Sequence, residues 1–124
     1  MNGITILSTG RYLPEDCIAN EDFTKYVETS DEWIRTRTGI ATRHFANGEP
    51  TWYMGAMAAK AAMEQGKIQP EEIDMVLVSC CTPDYLTPSM ACMIQRELGL
   101  NHAHCIDINS ACSGFAYGLD MARR

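Results

Sequence analysis

The chain has 124 residues, one domain's worth by length, and a globule of that size buries roughly two-thirds of its unfolded surface without needing staples. Hydrophobic residues at 46% and charged residues at 21% exclude wholesale disorder, and a net charge of −6 argues against nucleic acid or an anionic membrane as partner. No apolar run approaches the roughly 18 residues of a spanning helix, and the opening MNGITILSTGRYLPE has no basic stretch leading into a long apolar one, so the expectation is a soluble, cytoplasmic protein.

Short apolar strands alternate with helices along the chain, the pattern of an α/β layered fold in one domain over 1–124. Gly3 to Ser8 reads as a first strand, ended by Gly10 and a turn through Pro14. Asn20 is placed to cap a short helix whose first turn holds Glu21 and Asp22, where negative charge suits the helix dipole. Ser30 caps a second helix over 31–37, stopped by Gly39. Thr51 opens a longer one through Glu64, closed by Gly66, with Met54, Met57, Ala58, Ala61 and Ala62 at helical spacing. Pro70 with Glu71 and Glu72 forms a tight turn into Met75–Cys80, a continuous apolar run expected to be a strand buried on both faces. Thr87 as cap and Pro88 at the first helical position predict a helix that Gly99 closes. A strand over His104–Ile108 and a helix from Cys112 to Arg124 complete the chain.

The six cysteines are Cys17, Cys80, Cys81, Cys92, Cys105 and Cys112; none form a CxxC pair. Most sit among apolar neighbours, where a free thiol behaves as a small hydrophobe, so structural filling is the expectation for each. His102, His104 and Cys105 match no usual zinc-ligand spacing, and no metal is expected.

Two stretches carry candidate chemistry. In CIDINSACSGF a strand delivers Cys112 to a sharp turn of small residues from which a helix departs. A thiol at a helix N-terminus feels the positive end of the dipole, and the backbone N–H groups of such a turn can hold a developing oxyanion. On spacing alone a buried structural cysteine is an equal reading, and none of His44, His102 and His104 is placed beside Cys112 as a proton acceptor. In TSDEWIRTRTGI, Trp33 and Arg37 stand four apart and share a helix face. An aromatic plane beside a guanidinium suits a nucleotide base and its phosphates. Taken alone, the residues favour a Trp33 packed on the core and an Arg37 paired with Asp31 or Glu32.

Taken together, TSDEWIRTRTGI, TPSMACMIQRELGL and DINSACSGFAYGL, in this order and spacing, closely resemble a β-ketoacyl-acyl-carrier-protein synthase III, with GRYLPE and EEIDMVLVSC in agreement. The resemblance runs from residue 3 to residue 124 and implies the N-terminal half of a thiolase-like fold, layered αβα and truncated within that half. It implies that Cys112 is the nucleophile that takes an acyl group from acyl-CoA, and that Trp33 and Arg37 hold the adenine end of CoA with Thr29 beside the entrance. The acylated enzyme then condenses with malonyl-acyl carrier protein after decarboxylation, as a homodimer and with no cofactor beyond the acyl-CoA substrate.

Two departures bear on this. Family members that prefer acetyl-CoA often carry Phe at the position of Thr87, where it floors the partner subunit's acyl pocket; the smaller Thr87 is expected to leave room for a longer or branched primer. The His and Asn that stabilise the carbanion, and the glycine-rich strand that completes the oxyanion hole, belong to a second half that this sequence does not contain. The expectation is therefore an N-terminal piece, the isolated chain being inactive without its missing C-terminal half. A related synthase of secondary metabolism with a longer acyl starter is one alternative. A non-catalytic fragment dimerising through the Cys105–Ile108 edge is the other.

Overall fold

The computed structural model describes residues 3–124, which form two compact units. One joins the N-terminal segment up to Tyr12 with Pro50–Arg124; the other is Leu13–Glu49.

The smaller unit is an antiparallel hairpin carrying two helices. Strand β1 (Asp16–Ala19) pairs with β2 (Thr42–Phe45), with Asp16 opposite Phe45 and Ala19 opposite Thr42. Between them lie the short α1 (Asn20–Phe23) and α2 (Asp31–Thr38). As expected from the sequence, the Ser30 hydroxyl accepts the Trp33 N–H at 3.1 Å and starts α2, and Gly39 stops it in the left-handed conformation at φ 72°. Ile34 is the buried residue of α2, and Phe23 packs on Phe45 with ring centroids 5.7 Å apart. Neither strand of this hairpin was legible as a strand, because each is only four residues long and largely exposed.

Asn20 does not cap α1. Ala19 occupies the cap position with no side-chain bond, while Asn20 is wholly buried. Its side chain instead bonds to Asp31, Ile40 and Arg43, partners far off in sequence that outcompete a local cap.

The larger unit is built on the parallel pair β3 (Met75–Ser79) and β4 (His104–Ile108), in register from Met75 opposite His104 to Ser79 opposite Ile108. Its helices are α3 (Thr51–Gly66), α4 (Met90–Leu98) and α5 (Gly114–Arg123), with 3-10 turns at Pro70–Glu72 and Ala111–Ser113. Strand alternation sorts the sheet faces. Asp107 reaches the start of α4 on one face, and on the other Ser79 meets Gly114 and Ile108 meets Gly118 of α5. Helices thus cover both faces of the pair, the αβα layering expected for the fold. Ala56, Met90, Ala91, Ile94, Leu100, Ala103 and Ile108 form the core, where each large aliphatic side chain contributes roughly 2 kcal/mol by burial.

Several expectations are corrected. Gly3 to Ser8 forms no strand: it has no regular secondary structure and no partner ladder among the described residues, and leaves Ile6 and Leu7 exposed. A β-prone sequence stays coil when no neighbouring strand takes its N–H and C=O groups. Just after it the chain is seated on α3 by close packing, since a Cβ on Gly10 would run into the Ala58 carbonyl oxygen. The β3 run has helices on both faces but is not fully buried: Val76, Leu77 and Val78 are half-buried, and Met75 and Ser79 are exposed. Helix α3 ends one residue later than Gly66 would dictate, with Lys67 in the left-handed position at φ 54°. Thr87 and Pro88 lie in the loop before α4, whose cap is Ser89; its hydroxyl accepts the Cys92 N–H at 3.2 Å. Nor is any cysteine a buried filler: Cys17, Cys81 and Cys112 are exposed, the other three half-buried.

Candidate functional site

Cys112 sits where the sequence motif put it, at the turn between β4 and α5. The chain leaves β4 at Ile108, whose carbonyl accepts the Cys80 N–H at 3.2 Å, extending the β3–β4 contact by one rung. Ser110 follows, and then Ala111 adopts φ 44°, a left-handed conformation uncommon outside glycine. The turn is closed on the other side of Cys112 by Ser113, whose N–H (3.1 Å) and hydroxyl (2.7 Å) both donate to the Ser110 carbonyl. A non-glycine residue held at positive φ in front of an exposed thiol is the kind of local strain that clusters at reactive sites. Directly behind, α5 starts at Gly114, which is buried against β3. A concavity of about 410 Å³ opens there, lined among others by Leu77, Ser79, Ile108, Phe115 and Leu119.

In the smaller unit α2 carries Trp33 and Arg37 on one exposed face. Trp33 does not pack on the core; it is 52% exposed. Arg37 is not paired with Asp31 or Glu32: its guanidinium lies 4.4 Å from the centre of the Trp33 ring. Asp31 instead takes Arg35, whose Nε donates to both carboxylate oxygens at 2.8 and 2.7 Å. The side-chain amide of Asn20, helped by Arg35 and opposed by partial burial, holds the Asp31 carboxyl below the usual carboxylate range. An exposed indole with a stacked guanidinium is a platform for a flat, negatively decorated ligand. Thr29 is half-buried immediately before the Ser30 cap, and Thr87 is exposed in the loop leading to α4.

Sequence reasoning missed three acidic and amide contacts that hold these elements. The Asp84 carboxylate accepts the Thr51 and Trp52 N–H groups at 2.9 and 2.7 Å and so caps α3 from the loop that follows β3 in sequence. Asp107 accepts the Met90 and Ala91 N–H groups, both at 2.8 Å, and caps α4 from the neighbouring strand. Asn20 is the third. Each acts across 11 or more residues of sequence, beyond any local capping pattern.

The αβα layering, the parallel pair and the cysteine turn at its end fit the N-terminal part of a thiolase-like fold. The relatives agree. No family model matches the chain. Curated β-ketoacyl-[acyl-carrier-protein] synthase III sequences from Clostridium acetobutylicum and Clostridium tetani are 48% and 50% identical to it, over 98% and 96% of its length. The 3-oxoacyl-[acyl-carrier-protein] synthase III of Aquifex aeolicus superposes with a TM-score of 0.90 at 45% identity, over 97% of this chain and 39% of that one. The priming β-ketosynthase of the R1128 polyketide pathway superposes at 0.88 and 36% identity, over 95% of this chain and 36% of that one. The chain is thus similar along nearly its whole length to the synthase III family and matches its N-terminal part, while spanning less than two-fifths of the curated relatives' length.

Proposed function

We propose that this chain is the acyl-accepting part of a synthase III-type condensing enzyme. Cys112 is the nucleophile that receives an acyl group from acyl-CoA, and the Trp33–Arg37 stack, with Thr29 beside it, holds the nucleotide end of CoA. In the loading step the Cys112 sulfur attacks the thioester carbonyl of acyl-CoA. A new carbon–sulfur bond forms, the bond to the CoA sulfur breaks, and CoA leaves as its thiol after taking up the cysteine's proton. The observation that carries this reading is the exposed Cys112 on a turn with positive φ at Ala111, just ahead of α5. Condensation with malonyl-acyl carrier protein, giving a 3-oxoacyl product, is the second half of the reaction and needs His and Asn groups from a complementary C-terminal half. The chain works as part of a homodimer in which Thr87 faces the partner's acyl pocket.

A second reading, a priming synthase that takes a longer starter, is favoured by Thr87, a small exposed side chain where a bulky one would restrict the pocket. One experiment addresses both. The chain is incubated with acetyl-CoA and with longer straight and branched acyl-CoA, and its intact mass is read against a Cys112→Ala control. One acyl group per chain, lost in Cys112→Ala, is the expected result. No acylation with any donor defeats the proposal. Strict preference for acetyl-CoA defeats the longer-starter reading alone.

A further inference from the structure

We infer that Asn20 is the positioning residue of the Trp33–Arg37 site: its buried carboxamide ties both ends of α2 to the β1–β2 hairpin and so holds the stacked pair in place. The inference rests on the proposed reading of that pair as a CoA nucleotide site.

Helix α2 has eight residues, short of the roughly 12–15 at which isolated helices become even marginal in water. Its one buried residue is Ile34. The stack of Arg37 on Trp33 exists only while the backbone between them stays helical, since the two meet by their four-residue spacing. Something outside the helix must therefore hold it.

Asn20 has the geometry to do so. It is the largest wholly buried side chain among the described residues. Its Nδ2 donates to Asp31 Oδ1 at 2.8 Å, at the first residue of α2. The same nitrogen donates to the Ile40 carbonyl at 2.7 Å, just beyond the Gly39 stop. Its Oδ1 accepts Arg43 from β2 at 2.9 Å, and its backbone N–H reaches the Ala41 carbonyl at 3.3 Å. Arg43 is itself fixed over Phe23 of α1, its guanidinium 4.0 Å from the ring centre. One carboxamide thus clamps the start of α2, the chain just past its end, and the second strand of the hairpin. A buried amide costs desolvation that only full hydrogen bonding offsets, and the Asn20 carboxamide uses both its Nδ2 hydrogens and its Oδ1, although the Nε of Arg43 is buried without a partner.

The test uses the whole chain with CoA as probe. Asn20→Asp keeps the shape and the Arg43 contact but turns the donor toward Asp31 and Ile40 into an acceptor. Asn20→Asp combined with Asp31→Asn returns a donor–acceptor pair between positions 20 and 31. Two readouts are taken below the thermal transition of each variant: CoA affinity by titration calorimetry, and the upfield NMR shift that the Trp33 ring imposes on the Arg37 side-chain protons. Expected are a tenfold or greater loss of CoA affinity and loss of that shift in Asn20→Asp, with resonances of the α3–α4 core unchanged and both effects at least half recovered in the double variant. CoA affinity within twofold of the parent, or an intact Arg37 shift, overturns the inference, as does failure of the double variant to recover. If the parent chain itself does not bind CoA, the CoA reading of the site falls, and the Arg37 shift alone judges the role of Asn20. Should Asn20→Asp not fold, Asn20→Ser, too short to bridge Asp31 and Ile40, is read by the same two measures.

Discussion

Asp107 is one residue before the end of β4, five short of Cys112, and its work is done on another element. Its two carboxylate oxygens each take a backbone N–H of α4, at Met90 and Ala91, satisfying two of the four donors that a helix start leaves open. Its charge also lies at the positive end of the α4 dipole. Asp107→Ala removes both acceptors at once and is expected to destabilise the chain by about 1–2 kcal/mol, as loss of a helix cap does. Asp107→Asn, which keeps one acceptor oxygen, is expected to cost less. Chemical denaturation of the two variants against the parent checks the order; equal stability of all three would show that Ser89 alone caps the helix. Asp107 is thus a structural residue, and proximity in sequence to Cys112 is no guide to its role.

At the scale of elements, helix stops were the most legible feature because they depend on a single backbone conformation. Gly39 and Gly99 both take left-handed φ, 72° and 68°, at the ends of α2 and α4. A Cβ on Gly99 would meet nothing within 4 Å, so there the requirement is purely conformational. Gly99→Ala is expected to cost about 1 kcal/mol with no change in packing, visible as a lowered denaturation midpoint at constant slope. Helix starts were less legible. Ser30 was readable as a cap because its partner is three residues on; α3 takes a carboxylate from Asp84, and α4 adds one from Asp107 to its local cap Ser89, which lies two residues after the expected Thr87.

For the whole molecule, the titrating groups define a window of stability in pH. Four carboxyls are held below their ordinary range. Asp31 owes this first to the Asn20 amide, Asp22 to Lys25, and Asp120 to Arg123 and Arg124. For Asp84, burial pushes upward, but the amides of Thr51 and Trp52 outweigh it. A carboxyl with a lowered folded-state pKa contributes stability that is fully present above its unfolded value of about 4 and is lost as pH falls through the folded value. On the alkaline side, burial first and then Cys92 push the Cys105 thiol up. Its contribution is present below the unfolded thiol value of about 8.5 and is lost as pH rises through the folded one. Thermal midpoints measured from pH 2 to 10 are expected to form a plateau between about 5 and 8 with a fall on both sides. A midpoint that keeps rising below pH 4 would contradict the carboxylate assignments. No helix among the described residues is long and apolar enough to cross a membrane.

The amino-acid sequence by itself determined what rests on short-range chemistry: the helix over residues 31–37 with its serine cap and glycine stop, the β4 strand, and the cysteine turn with its family motif. Those features depend on contacts within a few residues, and a local pattern suffices to specify them. Tertiary structure alone decided the rest. The Gly3–Ser8 segment has strand-like residues but no ladder, because pairing is a property of two chains of backbone and not of one. Trp33 is exposed under Arg37 rather than buried, because Ile34 takes the inward face of α2 and Asp31 is already committed to Arg35 and Asn20. Asn20 became a meeting point of its unit because folding brought Asp31, Ile40 and Arg43 to one carboxamide, a convergence that no sequence spacing encodes.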